Sequence, residues 1–493
     1  MKISRIHFIL VAGVVAIITA SVSCRKINTL TNGGIITFST DTLKFDTVFT
    51  KAGSFTNQIL IYNPQNEAVV VSSVVMQNGA ASYFHLNIDG RTGNTGTNIK
   101  IAPHDSIYVF ATVNIDPNNV NSPFLITDAL IATMNGKAFS VPFTAYGQNA
   151  HYIIDSILSK SDTWTTTLPY VIIWTGDTTK PRGLQINPGL TLNIPHGCRI
   201  FMHQTANIAV FGVLNTGTPN NPDSVIFQGD RLDRAYFGYI GYPGEWGGLY
   251  FDGSSHGSTM TNTIIKNCGN GALGLAAAAA IYVAYDTLGS ITNPQVTLNN
   301  CTIENSYAYG IYSYHGTVAA TNCNINTTGQ QALAILLGGN DSFTNCTFAN
   351  YGTANVSHAA AGTVAILDYY WDGVTGDPVY FANLNTVMRN CIVYGSLDSE
   401  VVFDTTGSPA GTSARLLMDH CLLKMGTVRE PFVTFTDTIY NRDPLFKNTA
   451  SGDFHLTAGS PAIGKGLWIS AVTSDLDGTA RVNTNDIGCY QYH

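Results

Sequence analysis

The sequence predicts an all-β protein in which a parallel β-helix with coils of about 22 residues follows a small antiparallel β-sandwich. Three observations lead to this fold class. An Asn-Cys pair recurs in the second half of the chain, only 11% of the 493 residues are charged, and 47 residues are glycine. Hydrophobic residues make up 45% of the chain, too many for a disordered protein. Few charges together with frequent glycine and β-branched residues favour strands joined by many turns.

The Asn-Cys pair is the strongest sign of a repeat. Its cysteines, taken with that of a related His-Cys pair, are 33, 22, 23, 45 and 30 residues apart. This pattern indicates repeats of about 22 residues with loops inserted into some copies, as in a solenoid. The pairs are Asn267-Cys268, Asn300-Cys301, Asn322-Cys323, Asn345-Cys346 and Asn390-Cys391, and the variant is His420-Cys421.

We interpret these pairs as a structural ladder. Residues one coil apart in a solenoid become vertical neighbours about 4.8 Å apart. An asparagine at each corner can bond its neighbours and the turn backbone, because its side chain both donates and accepts. The cysteine beside it is expected to be a small buried spacer. A redox or metal role is the alternative, but stacked thiols point the same way, which disfavours disulfides, and no C-x-x-C motif suggests zinc.

The N-terminus has the features of an export signal. Lys2 and Arg5 precede an apolar run from about Phe8 to Ala20, and small residues then lead to Cys24. The sequence Ser-Val-Ser-Cys at 21–24 resembles the lipobox of bacterial lipoproteins, although Ser21 stands where leucine is usual. The resemblance implies that Cys24 is acylated and anchors the protein in a membrane. An ordinary signal peptide with an incidental cysteine is the alternative.

The strand pattern divides the chain into segments. Stretches such as NQILIY and DSIYVFATV alternate with period two, as in an antiparallel sandwich. This alternation resembles the immunoglobulin-like modules of bacterial envelope proteins. The expected segments are a lipoprotein signal peptide at 1–23, a tether at 24–38, the sandwich at 39–149, a connection at 150–185, the β-helix at 186–440 and its C-terminal end segment at 441–493.

Two further regions of the sequence resemble known β-helix proteins. GVLNTGTPNNPDSVIFQGDRL followed by GEWGGLYF is similar to the opening coils of right-handed parallel β-helices with the pectate-lyase-like fold. DFHLTAGSPAIGKG and DLDGTARVNTNDIGCYQY resemble the terminal segment of Bacteroidetes-type envelope β-helix proteins, although Gly464 and Lys465 stand where aspartate is frequent. The resemblance implies a right-handed fold and says little about activity, because that family is functionally mixed. A leucine-rich repeat is the alternative, but its Leu-x-x-Leu-x-Leu pattern is missing.

One outer face of the β-helix is predicted to carry aromatic side chains. If Ile311 faces inward, Tyr312 and Tyr314 point outward, and a count of 23 residues places Ile335 and Leu337 beside them. Aromatic rings stack on sugar faces, so this strip is a candidate surface for carbohydrate or another polymer. The alternative is that inserted loops at 271–290 and 370–387 cover it. The candidate ligand-binding residues are Tyr282, Tyr312, Tyr314, His315, Tyr369 and Trp371.

No catalytic constellation is evident in the sequence. No lysine or arginine occurs from Asn267 to Met388, so the middle coils lack the usual base of a polysaccharide lyase. A glycoside hydrolase would need paired carboxylates at a defined separation. The candidates in the predicted area are Asp368, Asp372, Glu400 and Asp404, and turn or corner roles explain them equally well.

Neither a cofactor nor nucleic acid is an expected partner. Asp475 and Asp477 hint at calcium, but a lone Asp-x-Asp-Gly is more often a turn. The net charge of −8 without a Lys/Arg cluster argues against nucleic acid. The sequence thus predicts a monomeric, exported lipoprotein of the cell envelope, at the periplasmic or surface face of the outer membrane, that binds carbohydrate or another envelope polymer. A polysaccharide lyase or glycoside hydrolase, and a structural stalk or adhesin, are the alternatives.

Overall fold

The computed structural model forms two compact units, Met1–Gln148 and Asn149–His493. It describes residues 28–118, 120–218, 221–232, 241–271, 277–286, 292–359, 361–371, 375–405, 409–426, 430–481 and 485–493. Cys24 and the predicted signal peptide lie outside these ranges. Over the described ranges, no helix is long and apolar enough to cross a membrane.

The first unit is a β-sandwich of two five-stranded sheets, counted over its described residues. The sheets have the orders β1-β3-β8-β5-β6 and β2-β10-β9-β4-β7, in which only the β2–β10 pair is parallel. The elements are β1 (Thr37–Phe38), β2 (Leu43–Phe49), β3 (Asn57–Tyr62), β4 (Val69–Met76), a single 3-10 turn (Gly79–Ala81), β5 (Phe84–Ile88), β6 (Arg91–Thr92), β7 (Thr95–Ile101), β8 (Ser106–Val113), β9 (Phe124–Met134) and β10 (Lys137–Gln148).

Alternating side chains build the core between these two sheets. On β4, Val69, Val71, Val74 and Met76 are buried in one cluster with residues of both sheets. The alternation that the sequence predicts for residues 39–149 therefore gives a sandwich, because side chains two apart on a strand share a face.

The second unit is a right-handed parallel β-helix, so the predicted fold class is confirmed. Its first strands are β11 (His151–Ile154), β12 (Ser156–Ile157), β13 (Asp162–Thr163), β14 (Tyr170–Ile173), β15 (Gly183–Ile186), β16 (Thr191–Ile194), β17 (Arg199–Met202), β18 (Asn207–Val210), β19 (Val213–Thr216), β20 (Val225–Gly229), β21 (Gly248–Phe251), β22 (Ser258–Thr261) and β23 (Thr263–Lys266).

The coils continue with β24 (Ala279–Val283), β25 (Val296–Asn299), β26 (Thr302–Ser306), β27 (Tyr309–Tyr314), β28 (Val318–Thr321), β29 (Asn324–Thr328), β30 (Leu333–Leu336), β31 (Gly339–Thr344), β32 (Thr347–Asn350) and β33 (Val364–Leu367). A hairpin of β34 (Tyr369–Trp371) and β35 (Pro378–Phe381) follows. The last strands are β36 (Leu384–Arg389), β37 (Ile392–Gly395), β38 (Val401–Asp404), β39 (Ala414–Asp419), β40 (Leu422–Leu423), β41 (Val433–Thr436), β42 (Ile439–Tyr440), β43 (Phe446–Asn448) and β44 (Asp453–Leu456), with a 3-10 turn (Thr449–Ser451) between the final two.

Each coil contributes strands to three parallel sheets. Sheet 1 is β11-β14-β17-β20-β23-β26-β29-β32-β37-β40-β42, and sheet 2 is β12-β15-β18-β21-β24-β27-β30-β33-β38. Sheet 3 is β13-β16-β19-β22-β25-β28-β31-β36-β39-β41. From Leu184 onward, one inward column of sheet 2 is aliphatic, and each member stacks on its equivalent in the next coil: Leu184, Ile208, Leu249, Ile281, Ile311, Leu333, Val364 and Val401.

The β-helix begins earlier than the sequence predicts. Residues 150–185, expected to be a connection, contain β11, β12, β13 and β14, which pair in parallel with later strands. Tyr170 lies beside His151, and Ile200 lies beside Tyr170. These first coils carry no Asn-Cys pair, so a prediction that follows that pair cannot detect them.

Five cysteines stand in single file at one corner of the β-helix. From the second cysteine onward, the N–H of the residue after each cysteine donates to the carbonyl of the cysteine one coil earlier, at 2.9 Å for Asn324 with Cys301 and for Thr347 with Cys323. Each thiol donates to the carbonyl two residues before it, as Cys323 does to Thr321 at 3.3 Å. The file consists of Cys301, Cys323, Cys346, Cys391 and Cys421, all buried and free.

The residue before each of these cysteines has a left-handed backbone. Asn300, Asn322, Asn345 and Asn390 have φ between 51° and 53°, and His420 has φ 52°. Asparagine tolerates this region better than most residues, because its short polar side chain can bond locally. The chain must turn sharply here, so asparagine suits the corner.

The pair Asn267-Cys268 belongs to a different corner, which corrects the predicted ladder. Because Lys266 pairs with Glu304, Asn267 is equivalent to Asn305, at the opposite end of the sheet 1 strand. Asn305 donates to the Oδ1 of Asn267 at 2.7 Å. The equivalent of Asn300 in that coil is Asn262, which has φ 45° and donates its backbone N–H to the Asn299 carbonyl. Left-handed asparagines stand at both corners, so the sequence motif alone does not distinguish them.

The C-terminal segment 441–493 folds back along the outer face of sheet 1. The N–H of Cys489 donates to Thr347 Oγ1 at 3.1 Å, and the N–H of Gly488 donates to the carbonyl of Asn390 at 2.8 Å. A buried cluster joins both parts: Ile392, Tyr394 and Leu422 from sheet 1 with Leu456, Ala462 and Ile487 from the segment. We call residues 441–493 the C-terminal tail.

We expect Asn390→Gly to destabilise the β-helix by about 2–3 kcal/mol, because glycine keeps the left-handed backbone but removes several buried hydrogen bonds. Asn390 donates to Asn345 Oδ1 at 3.2 Å and to the Leu467 carbonyl at 2.8 Å, and accepts from the Leu467 N–H at 2.7 Å. Asn390→Ala should cost about 1 kcal/mol more, because alanine is strained at this φ. Urea denaturation followed by circular dichroism measures both values.

The matched control is Asn98→Gly, at an exposed asparagine of the sandwich with φ 52°. It should change the free energy of unfolding by less than about 0.5 kcal/mol. If Asn390→Gly were as mild as this control, the asparagine would not hold the tail.

Candidate functional site

Some of the aromatic residues singled out in the sequence lie on the outer face of sheet 2. Tyr250, Tyr282 and Tyr312 are register partners on successive coils, and their ring centroids are 5.6 and 5.0 Å apart. Tyr250 was missed, although its place in GEWGGLYF could have revealed it. The partners of Tyr312 and Tyr314 in the next coil are Ala334 and Leu336.

The sequence count of 23 residues is one too many at this coil. Ile335 pairs with Ser313 and belongs to the interior core, whereas Leu336 pairs with Tyr314 and packs in the outer cluster. Leu337 has φ 61° and lies just beyond the strand. A shift of one residue moves a side chain to the opposite face of a sheet.

The outer tyrosine column is covered rather than exposed. Tyr312 is only 2% exposed, and Tyr282 and Tyr369 are also buried. Burial raises the pKa of Tyr282 to about 12. Over these three residues the expected strip is therefore closed, as the alternative with covering loops predicts. Residues 272–276, 287–290 and 372–374 of those loops lie outside the described residues.

The hairpin of β34 and β35 contributes to this cover. Tyr369 and Phe381 are register partners that pack into the outer cluster. The Tyr369 hydroxyl donates to Asp404 Oδ2 at 2.8 Å, which fixes the hairpin to β38. The Ala382 N–H also donates to the Asp368 carbonyl at 2.9 Å.

Four aromatic residues remain accessible around the hairpin, and we call them the aromatic platform: Tyr314, Tyr370, Trp371 and Tyr380. Trp371 is 38% exposed and Tyr380 59% exposed, whereas Tyr314 and Tyr370 are half-buried. The rings of Tyr314 and Tyr370 meet edge to face with centroids 5.2 Å apart. Tyr370 is 6.0 Å from Trp371 and is the cross-strand partner of Tyr380. The four side chains thus form one continuous surface.

His315 lies at a corner beside sheet 2. Its backbone has φ 49°, its Nδ1 lies 2.7 Å from the Leu337 carbonyl, and its ring stacks on Tyr285 at 4.3 Å. These contacts hold the His315 side chain within the turn, so we do not count it in the aromatic platform.

Two of the candidate carboxylates, Glu400 and Asp404, lie too far apart to act as a catalytic pair. Glu400 precedes Val401 and Asp404 ends the same strand, so their positions are roughly 13 Å apart at about 3.3 Å per residue. Glycosidase carboxylates are separated by about 5–9.5 Å. Asp368 is buried beside the hairpin, and Asp372 lies outside the described residues.

Glu400 is held as a structural acceptor. Its Oε2 accepts from Thr363 Oγ1 at 2.7 Å and contacts His358 Nε2 at 2.9 Å, and its Oε1 accepts from the Leu397 N–H at 2.6 Å. Burial alone would raise the pKa of Glu400, but these hydrogen bonds outweigh burial and lower the pKa. An ionised, fully engaged carboxylate is unsuited to the role of general acid.

The Asp-x-Asp-Gly stretch forms a turn. Asp475 is buried and accepts from the backbone N–H groups of Asp477, Thr479 and Gln491 at 3.0, 2.7 and 2.8 Å. Among the residues with described positions, no group of three or more His, Cys, Asp or Glu could hold a metal ion.

A histidine in the C-terminal tail bridges two carboxylates. His455 Nδ1 lies 2.6 Å from Asp453 Oδ1, and His455 Nε2 lies 2.7 Å from Asp477 Oδ2. The ring stacks on Tyr490 at 3.9 Å, and Lys447 Nζ lies 3.2 Å from Asp453 Oδ2. Burial lowers the pKa of His455, but the hydrogen bonds and charges of the two aspartates outweigh it, so the net shift is upward.

Comparison with known proteins supports the fold and does not identify an activity. A family model described as a right-handed β-helix region matches residues 288–439. No curated protein sequence matches the chain.

Two of the solved structures that match the chain do so over a small part of it. A family 123 glycoside hydrolase from Clostridium perfringens, described in work on glycolipid glycan hydrolysis, is 10% identical with a TM-score of 0.17 and covers 23% of this chain and 25% of its own. The VesB protease of Vibrio cholerae is 12% identical with a TM-score of 0.16 and covers 23% of this chain and 31% of its own. The chain therefore spans less than a third of either protein, and these likenesses carry no argument about function.

We expect His455→Gln to destabilise the β-helix by about 1 kcal/mol in mild acid, because a partly exposed ion pair contributes little more. The folded state raises the pKa of His455 above its usual value, so the protonated ring favours folding. The stabilisation is complete below about pH 6.5 and is lost as the pH rises through the raised pKa. Urea denaturation of both proteins between about pH 5 and pH 9 measures the difference.

The control for this experiment is His85→Gln, at an exposed histidine of the sandwich. Its effect should not vary with pH in the transition of the β-helix. A His455→Gln effect that stays constant across the whole pH range would show that the bridge does not depend on protonation.

Proposed function

We propose that this protein is an exported, lipid-anchored protein of the cell envelope whose β-helix binds a carbohydrate polymer without cleaving it. The N-terminal sequence, with its apolar run and Cys24, supports export and anchoring. The β-helix supplies a rigid, elongated surface, and the aromatic platform supplies the candidate contact for sugar rings.

The aromatic platform is the observation that carries this proposal. Exposed aromatic rings offer large apolar faces with polar tips, which suits the alternating apolar and hydroxyl surfaces of a sugar. Trp371 and Tyr380 keep 38% and 59% of their surface accessible, beside the half-buried Tyr314 and Tyr370. Large aromatic residues that stay exposed as one patch mark interaction surfaces more often than isolated ones do.

The platform is rigidly supported from below. The inner face of the hairpin packs Tyr369 and Phe381 onto the buried tyrosine column. Tyr314 projects from β27, within a sheet whose strands are paired on both sides. Side chains held in place before binding lose less conformational entropy when a ligand arrives.

Binding without cleavage agrees with the surrounding chemistry. No lysine or arginine occurs from Asn267 to Met388, so a proton-abstracting base would have to come from outside the middle coils. Glu400 is engaged by four groups on its own corner, and Asp404 accepts from Tyr369. These contacts leave neither carboxylate arranged for hydrolysis.

We expect Trp371→Ala and Tyr380→Ala each to weaken polysaccharide binding about tenfold, because each removes a stacking ring. Affinity electrophoresis of the chain without residues 1–24, run in gels that contain neutral or uronate polysaccharides, measures the retardation. The matched control is Tyr108→Ala, at a tyrosine of the sandwich that is 49% exposed. This variant should migrate like the wild type.

Three results would contradict the proposal. Equal retardation of all variants would mean that the platform does not bind the polymer. Release of reducing ends or unsaturated products that is lost in Glu400→Gln would identify an enzyme. Absence of retardation by any polysaccharide would favour a stalk or adhesin.

The anchor is tested separately through Cys24. We expect the full chain, expressed in a bacterium with lipoprotein processing, to incorporate labelled palmitate and to sediment with membranes, because multiple acyl chains give stable anchoring. Cys24→Ser should abolish the label and leave the protein soluble or retained by its uncleaved signal. Unchanged labelling in Cys24→Ser would show that this residue is not the lipidation site.

A further inference from the structure

A column of asparagines runs along one corner of the β-helix. The backbone N–H of each member donates to the coil above, from Asn262 to the Asn299 carbonyl and from Asn300 to the Thr321 carbonyl, both at 3.0 Å. The column continues through Asn322, Asn345 and Asn390. We call these five residues the asparagine rungs.

Three of the rungs bind main-chain groups of the C-terminal tail. Asn322 Nδ2 donates to the Ser474 carbonyl at 2.7 Å, and Asn345 Nδ2 donates to the Gly488 carbonyl at 3.4 Å. Asn390 binds both sides of one residue: its Nδ2 donates to the Leu467 carbonyl at 2.8 Å, and its Oδ1 accepts from the Leu467 N–H at 2.7 Å. In this position an asparagine side chain therefore recognises a peptide backbone.

The other two rungs, Asn262 and Asn300, line a cavity of about 420 Å³ that the tail does not fill. The Asn300 side chain is half-buried and makes no hydrogen bond to any described residue. Asn262 Nδ2 donates to the carbonyl of Asn221 on the opposite wall. The Asn300 amide is half-buried and has free donors and a free acceptor, whereas its neighbours in the column are bonded to peptide groups. It is therefore suited to binding a peptide group as well.

The walls of this cavity come from three places. Ser474, Asp477 and Tyr490 of the tail form one side, Asn221 and Ser224 form another, and Ile264 and Thr302 of sheet 1 form the floor. Among the described residues that line the cavity there is no lysine or arginine and one carboxylate, Asp477, whose Oδ2 faces His455. The charge of these lining residues suits an uncharged or basic ligand rather than an acidic one.

We propose that this cavity is a docking site for a short extended peptide segment of a partner protein, with uncharged or basic side chains. Asn300 binds one residue of the segment as Asn390 binds Leu467, with Nδ2 on the carbonyl and Oδ1 on the N–H. The volume accommodates a few residues, within the range of about 300–1,000 Å³ that ligand pockets span. The site is separate from the aromatic platform, so it adds a protein partner to the proposed carbohydrate ligand.

A random dodecapeptide phage library, selected on the chain without residues 1–24, tests the proposal. Synthetic copies of enriched peptides are titrated against wild type, Asn300→Gly and Asn262→Gly by fluorescence anisotropy. Glycine preserves the left-handed backbone at φ 53° and 45°, so both variants should keep the fold, which circular dichroism verifies. We expect at least tenfold weaker binding for Asn300→Gly, and binding equal to wild type for the control Asn98→Gly.

Photo-crosslinking of an enriched peptide identifies the site it occupies. Cross-links to Tyr490 or to residues 221–224 would support docking in the cavity. The proposal is overturned if no peptide is enriched, if enriched peptides bind Asn300→Gly as tightly as wild type, or if neutral oligosaccharides and no peptides bind in an Asn300-dependent way. None of these outcomes depends on the aromatic platform.

Discussion

The hydrogen-bonded register between coils is the constraint on which the rest of this β-helix depends. Each strand pairs in parallel with its equivalent in the next coil, so one residue position becomes a column with a rise of about 4.8 Å. A side chain in a buried column then packs between the equivalent residues of the coils above and below. Because of this register, residues that repeat in the sequence are stacked in the structure. They form a file of thiols at one corner and a stack of tyrosine rings on the outer face of sheet 2.

The features that could be predicted from the sequence are those that repeat from coil to coil. Asn-Cys marks a corner where the backbone needs a positive φ and the interior needs a small apolar group, so four of its pairs identify true equivalents. Asn267-Cys268 misleads because the opposite corner has the same backbone requirement. The first coils lack the motif, and the covering hairpin and the tail are irregular segments whose contacts follow from packing rather than from periodicity. His455 and Asp477 could not be paired from sequence, since 22 residues of aperiodic chain separate them.

Different segments cover the outer faces of sheets 1 and 2, and the two proposed sites lie on different faces as a result. On sheet 2, a hairpin covers the tyrosine column and leaves a rim of rings in contact with solvent. On sheet 1, the tail covers the later coils with a buried cluster and with main-chain hydrogen bonds to the asparagine rungs. Stacking surfaces and amide groups therefore occupy different faces, which allows a saccharide and a peptide to be recognised independently.

The return of the tail along sheet 1 also sets an order of assembly. Arg481 is buried and donates to Asn322, a residue 159 positions earlier in the chain, and to the carbonyl of Gly488. Coils can add one after another while the polypeptide is being made, because each contacts only its neighbours. The asparagines of these coils and the apolar patch around Ile392 gain their permanent partners only after the tail has been synthesised. A chain that stops before the tail would leave this outer face of sheet 1 exposed. It would be cleaved by proteases or would aggregate more readily than a chain that includes the tail.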